Sequence, residues 1–205
     1  VSEGLTSIVT RSLIESGALL FGEFRLASGA ISHVYVDLRR VLGSPRHFRT
    51  LSTLLASEVV KAGIDDNTVV VGVATGGIAW ATAVSLSLGL PLAYVRPPKG
   101  HGTEKVVEGA EVSRRRAIVI DDVATTGGSL ASSVNSLLSL GASQVTAVVL
   151  VDREQGASEV LAKLGVQLRR VTTLREVLVE AVRLGAVSEP KANMVSEELW
   201  GRPLR

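Results

Sequence analysis

Within the stretch 117–130, AIVIDDVATTGGSL, four apolar residues lead into two adjacent carboxylates, Asp121 and Asp122. The small-residue turn Thr125-Thr126-Gly127-Gly128 follows, and a helix-compatible segment begins at Ser129. Adjacent carboxylates accept hydrogen bonds from vicinal hydroxyls. Glycines let backbone N–H groups close around a phosphate, and a helix N-terminus adds positive potential there. The two halves together suit a sugar phosphate. Taken apart, an Asp-rich turn caps a helix and Gly-Gly marks a loop. The ordered strand–turn–helix context is what favours the cradle.

Other residues could serve the same ligand. Ala74-Thr75-Gly76-Gly77 is a second tight loop before a helical pattern, suited either to an anion or to packing. Arg96 precedes a polar stretch, Pro97–Val112, that carries Lys99 and His101. A loop this long reads as a lid whose cations meet a polyanion, or as a solvated charged loop. Arg153 ends a later apolar run; it could hold a carboxylate bidentately or pair at the surface with Glu154.

The elements that position these residues follow from periodicity. Leu5–Ser16 has helical spacing, 19–26 and 34–39 read as strands around a turn at Ala27-Ser28-Gly29, and Pro45 opens a helix to about Ala62. From Thr68 onward, strands at 69–72, 92–95, 117–120, 145–151 and 166–171 alternate with helices at 78–88, 129–140 and 158–164, the long loop standing after the second strand. A helix at 174–184 follows. The pattern predicts an α/β fold: a doubly wound parallel five-stranded sheet, with ligands outside the carboxyl ends of its strands. Residues 1–65 are expected to form an α/β cap, 66–185 the core, and 186–205 a tail without functional signal.

Composition narrows the classes. Hydrophobic residues make up 46% of the 205 and aromatics only 3%, which suits an aliphatic sheet core. With no cysteine, disulfides, thiolate nucleophiles and Cys-based zinc sites are excluded. His33, His47 and His101 are scattered without metal-ligand spacing. A net charge of +2 suits an anionic small molecule and is too weak to argue for nucleic acid. Arg114-Arg115-Arg116 reads as a solvated strand entrance. No window is apolar enough to span a membrane and no signal-peptide layout is present, so a cytoplasmic protein is expected.

With those residues in view, the chain resembles the type I phosphoribosyltransferases. Their signature of apolar strand, acidic pair and small-residue turn matches Ile118–Ser129. Three further features resemble the orotate branch: Phe24-Arg25-Leu26-Ala27-Ser28-Gly29 with Tyr35-Val36-Asp37-Leu38-Arg39, the Arg96/Lys99/His101-Gly102 lid, and Val151-Asp152-Arg153-Glu154. The order and separations fit from about Leu5 to Leu178.

The resemblance implies transfer of a phosphoribosyl group from phosphoribosyl pyrophosphate (PRPP) to orotate. Asp121 and Asp122 would hold the ribose hydroxyls, Ala124, Thr125, Thr126, Gly127, Gly128 and Ser129 would cradle the 5′-phosphate, and Val123 would belong to the same PRPP site. Thr75 and Gly76 would complete the PRPP site. Arg96, Lys99 and His101 would stabilise the leaving pyrophosphate, while Thr125, Arg153, Tyr35 and Val36 would contact orotate. The resemblance further implies Mg²⁺ held by substrate oxygens without direct protein ligands, and a homodimer whose lid reaches the neighbouring site. Relatives commonly carry a lysine at the position of Ala27, and some carry one at Gly76. The lid is one residue short, with Pro97-Pro98 where a second lysine usually stands. A purine-salvage phosphoribosyltransferase and a PRPP-sensing regulator of transcription are the alternative readings.

Overall fold

Runs that are apolar without alternation suit strands covered on both faces, and the centre of the larger sheet is built from three of them, at 68–73, 116–124 and 144–152. The computed structural model describes residues 2–25, 29, 31–96 and 105–204. In chain order the elements are α1 (Ser2–Glu15), β1 (Leu19–Arg25), β2 (Ile31–Val36), a 3₁₀ turn (Leu38–Gly43), α2 (Pro45–Lys61), β3 (Thr68–Val73), α3 (Gly76–Leu88), β4 (Leu92–Val95), β5 (Val107–Gly109), β6 (Arg116–Ala124), α4 (Gly128–Ser139), β7 (Gln144–Asp152), α5 (Ala157–Ala162), β8 (Leu168–Thr173), α6 (Leu174–Arg183) and α7 (Glu189–Trp200). By their contacts they fall into two units, Val1–Leu51 with Thr172–Arg205, and Ser52–Val171.

In the second unit the sheet order is β5-β4-β3-β6-β7-β8, with β3–β4, β3–β6 and β6–β7 parallel. Every residue of β3 is buried. Val69, Val71, Val119 and Val149 pack with Leu130, Val134 and Leu137 of α4 and Leu161 of α5. On the other face Gly72 lets α3 lie close, since a Cβ there would stand 2.9 Å from the Ile78 Cα. The chain leaves β3 toward one edge and β6 toward the other, so a topological switch point lies between them.

Two expectations about the sheet change. The sheet has six strands, and β5, inside the stretch expected to be loop, runs antiparallel to β4 with Val95 opposite Val107. Three residues are too few to show a period. Gly109 ends the strand at φ +98°, and a Cβ there would lie 2.6 Å from the Leu92 carbonyl oxygen. The motif strand, expected to stop at Ile120, runs to Ala124. Its pairing with β3 ends at Gly72–Ile120, while β7 continues beside it to the Ala124–Asp152 pair.

In the first unit β1 and β2 form an antiparallel hairpin. Residues 172–205 group with 1–51, a division different from the expected 1–65, 66–185 and 186–205. Helix α6 packs on α1, and α7 on α6 and β2. Thr173 and Glu176 start α6 with a reciprocal capping box. Helix α7 is tied down by Glu198, which accepts from the His33 N–H at 3.3 Å and lies 2.6 Å from its Nδ1. The Arg175 guanidinium stands 4.2 Å over the Trp200 ring.

Candidate active site at the strand switch point

The overhang of β6 beyond β3 carries the acidic pair. Asp121 is 9% exposed and accepts the Asp122 N–H at 2.9 Å; Asp122 accepts the Val123 N–H at 2.8 Å. Burial pushes the Asp121 carboxyl well above its ordinary value, and repulsion from Asp122 adds to the rise. The loop after β3 presses on the same pair. A Cβ on Gly76 would lie 2.7 Å from Asp122 Oδ2, and one on Gly77 would strike the Ile120 carbonyl oxygen. Thr75 precedes them on the exposed surface, joined to Ala74 through a cis peptide bond.

Beyond β6 the chain turns through Thr125 and Thr126 into α4, whose N-cap is Gly127 at φ +83° and ψ +4°. A glycine has no side chain to cap the first N–H groups of the helix, which leaves them for a ligand. They border a hollow of about 180 Å³ lined by Asp121 and 123–130. Gly127 also lets the turn rest on α5, since a Cβ there would lie 2.9 Å from the Ala157 Cα. A second hollow, of about 530 Å³, shares Gly128 and Ser129 with the first and adds Ala74, Arg96 and Val106.

Arg96 is anchored in this second hollow. Its Nη2 lies 2.9 Å from Glu108 Oε1, and its backbone N–H donates to the Val106 carbonyl at 2.9 Å. Glu108 was not among the residues expected at the site: it comes twelve positions later, on a strand too short to read. Arg153, at the end of β7, is buried, and its N–H donates to the Ala124 carbonyl at 2.9 Å. The preceding Asp152 pairs with Arg170 at 3.2 Å.

The second unit thus brings together Asp121, Asp122, the 123–129 turn, Thr75, Gly76, Arg96 and Arg153. Tyr35 and Val36 belong to β2 of the first unit, where the Tyr35 ring stacks at 5.5 Å, tilted, on Phe24. Lys99, His101, Ala27, Pro97 and Pro98 lie outside the described residues. Among the described residues no group of three or more His, Cys, Asp or Glu is placed to hold a metal ion.

Residues 47–170 match the family described as phosphoribosyl transferase domain. The chain belongs to the phosphoribosyl transferase family. An orotate phosphoribosyltransferase of Aeropyrum pernix is 46% identical to this phosphoribosyl transferase over 177 residues, 86% of this chain and 94% of that protein. Among solved structures, Leishmania donovani UMP synthase superposes with a TM-score of 0.83 at 29% identity, covering 96% of this chain and 42% of that one. An orotate phosphoribosyltransferase of Mycobacterium tuberculosis in complex with 5-phospho-alpha-D-ribosyl 1-diphosphate superposes with a TM-score of 0.66 at 29% identity, covering 86% and 98% of the two chains. The sheet of this phosphoribosyl transferase, with flanking helices and an N-terminal subdomain, is the fold of those relatives. Among its described residues no helix is long and apolar enough to cross a membrane.

Proposed function

We propose that the protein is an orotate phosphoribosyltransferase, transferring the 5-phosphoribosyl group of PRPP to orotate to give orotidine 5′-phosphate and pyrophosphate. One observation carries the reading: an acidic pair, with Asp121 buried and Asp122 half-buried, and an uncapped, glycine-started helix N-terminus meet at the switch point of a parallel sheet. The relatives named above add the choice of orotate.

In this reading the Asp121 and Asp122 carboxylates accept the ribose 2′- and 3′-hydroxyls, and the N–H groups of 124–129 receive the 5′-phosphate. The loop bearing Thr75 and Gly76 borders the diphosphate. Breaking the C1′–oxygen bond leaves positive charge on the ring and negative charge on the departing pyrophosphate. Arg96, with Lys99 and His101, stabilises that anion electrostatically, and no protein nucleophile is required. Arg153 meets the orotate carboxylate, Thr125 the base, and Tyr35 and Val36 line its pocket. Mg²⁺ would be held by substrate oxygens and would supply charge neutralisation for the leaving group; Asp121 and Asp122, two carboxylates without a third ligand among the described residues, suit ribose hydroxyls better than a closed cage of protein ligands. The cap role of residues 1–65, a homodimer with the lid reaching the neighbouring site, and a cytoplasmic location belong to the same proposal.

The test is purified protein with PRPP, Mg²⁺ and, in turn, orotate, adenine, guanine or xanthine. Loss of orotate absorbance with stoichiometric pyrophosphate release is the expected result. Turnover of a purine alone would replace orotate by a salvage substrate, and salt-sensitive DNA binding without any turnover would favour a regulator.

A further inference from the structure

At the root of the segment 97–106, β4 and β5 pair in register, with Tyr94 opposite Glu108 and Val95 opposite Val107. Residues two apart on a strand share a face, so Arg96 follows Tyr94 on that face and meets Glu108 diagonally across the ladder. The resulting ion pair, at 2.9 Å, is partly sheltered, with side chains 12% and 27% exposed. Glu108 itself is rigidly placed. The strand before and after it is bonded to β4, through Val106 O to the Arg96 N–H and through the Ala110 N–H to Leu92 O at 2.9 Å. Gly109 then ends the strand in a conformation and a space that exclude a side chain.

We infer that Glu108 is a positioning residue for the reaction: it aims the Arg96 guanidinium into the hollow that Arg96 shares with Ala74, Gly128 and Ser129. The inference rests on the reading of Arg96 as a pyrophosphate contact. A long arginine side chain on a strand end samples many rotamers. A carboxylate on the neighbouring strand selects one of them by engaging one nitrogen of a group that carries five N–H donors. Glu108 itself touches no reacting atom in this scheme. Its negative charge also weakens the pull of Arg96 on product pyrophosphate, which favours release.

Steady-state kinetics with orotate, PRPP and Mg²⁺ on four variants separate the possibilities: Arg96→Ala, Glu108→Ala, Glu108→Gln and the Arg96→Ala/Glu108→Ala double. Misplacing a catalytic group by roughly an ångström costs up to about a hundredfold, so Glu108→Ala is expected to lower kcat/KM for PRPP by about ten- to a hundredfold. KM for orotate should stay within about twofold. Glu108→Gln keeps an acceptor oxygen in place and should recover most of the rate, while binding inorganic pyrophosphate more tightly by calorimetry. The double variant should be no slower than Arg96→Ala, because Glu108 acts only through Arg96. Losses that multiply in the double, or an orotate KM that rises as much as that for PRPP, would overturn the inference and leave the Arg96 assignment standing. Wild-type kinetics in Arg96→Ala would overturn that assignment and the inference with it.

Discussion

Gly127 and Gly128 are adjacent in the sequence, yet the structure assigns them opposite tolerance. Gly127 adopts φ +83°, and a Cβ there would stand 2.9 Å from the backbone Cα of Ala157 and 3.3 Å from its Cβ. Gly128 has no left-handed φ, and a Cβ there meets nothing within 4 Å. For Gly127→Ala the left-handed conformation alone costs about 1–2 kcal/mol. The contact is with backbone, so the turn must also move away from α5. In a chain of this size each kcal/mol lowers Tm by about 2–4 °C, which gives a loss of at least about 2–8 °C. The moved turn carries the amides proposed to grip the 5′-phosphate. Losing one hydrogen bond to a charged group costs about 1.5–3 kcal/mol, or roughly ten- to a hundredfold in KM for PRPP. Gly128→Ala, at the first helical position, should instead raise Tm slightly, since it restricts the unfolded chain without strain and stabilises by about 0.4–1 kcal/mol. Calorimetric Tm and PRPP saturation curves on both variants provide the assay. Equal behaviour of the two would refute the reasoning, for composition alone cannot tell them apart.

Two further outcomes follow from charge. Asp121 has its carboxyl raised above the ordinary 3.8, chiefly by burial, so it opposes folding at neutral pH and the penalty fades as pH falls. Asp121→Asn should therefore raise Tm at pH 7, lose that advantage below about pH 4, and lower kcat by at least about tenfold through loss of a charged acceptor; a less stable variant at pH 7 would contradict this. Glu180 is lowered from 4.5 to about 2, first by its hydrogen bonds to Arg183, one of them at 2.7 Å. Its contribution is present above pH 4.5 and lost toward pH 2, so Glu180→Gln should flatten the acid limb of the Tm profile in that window without changing turnover at pH 7.

The central strands and the glycine turn were legible because each is written in consecutive residues: 69–72 as an apolar run, Thr125–Gly128 as small residues before a helix. What stayed hidden depends on partners distant in sequence. β5 has three residues and owes its existence to the β4 edge and to the space that Gly109 leaves. The Arg96–Glu108 pair spans that hairpin. The seat of α7 rests on a contact 165 residues apart, between His33 and Glu198, and no local pattern announces it. The burial of Asp121 needed the extra pairing of β6 with β7 beyond the end of β3, which apolar periodicity does not encode.

That overhang also sets the surroundings of the acidic pair. Beyond Ile120, β6 has a bonded neighbour on one side only, and the vacated side is filled by the glycine loop that follows β3. Gly76 and Gly77 let this loop lie flush against Asp122 and the Ile120 carbonyl, so the pair is covered on that side without gaining a cation from the loop. A lysine at position 76 would supply such a cation, but its Cβ would first have to displace Asp122, since it would stand 2.7 Å from Oδ2. Loop and acidic pair are therefore one unit: adding charge at position 76 moves the groups that charge would serve. In the proposed reading, ribose hydroxyls that donate to the pair relieve this burial and repulsion, which favours the bound state.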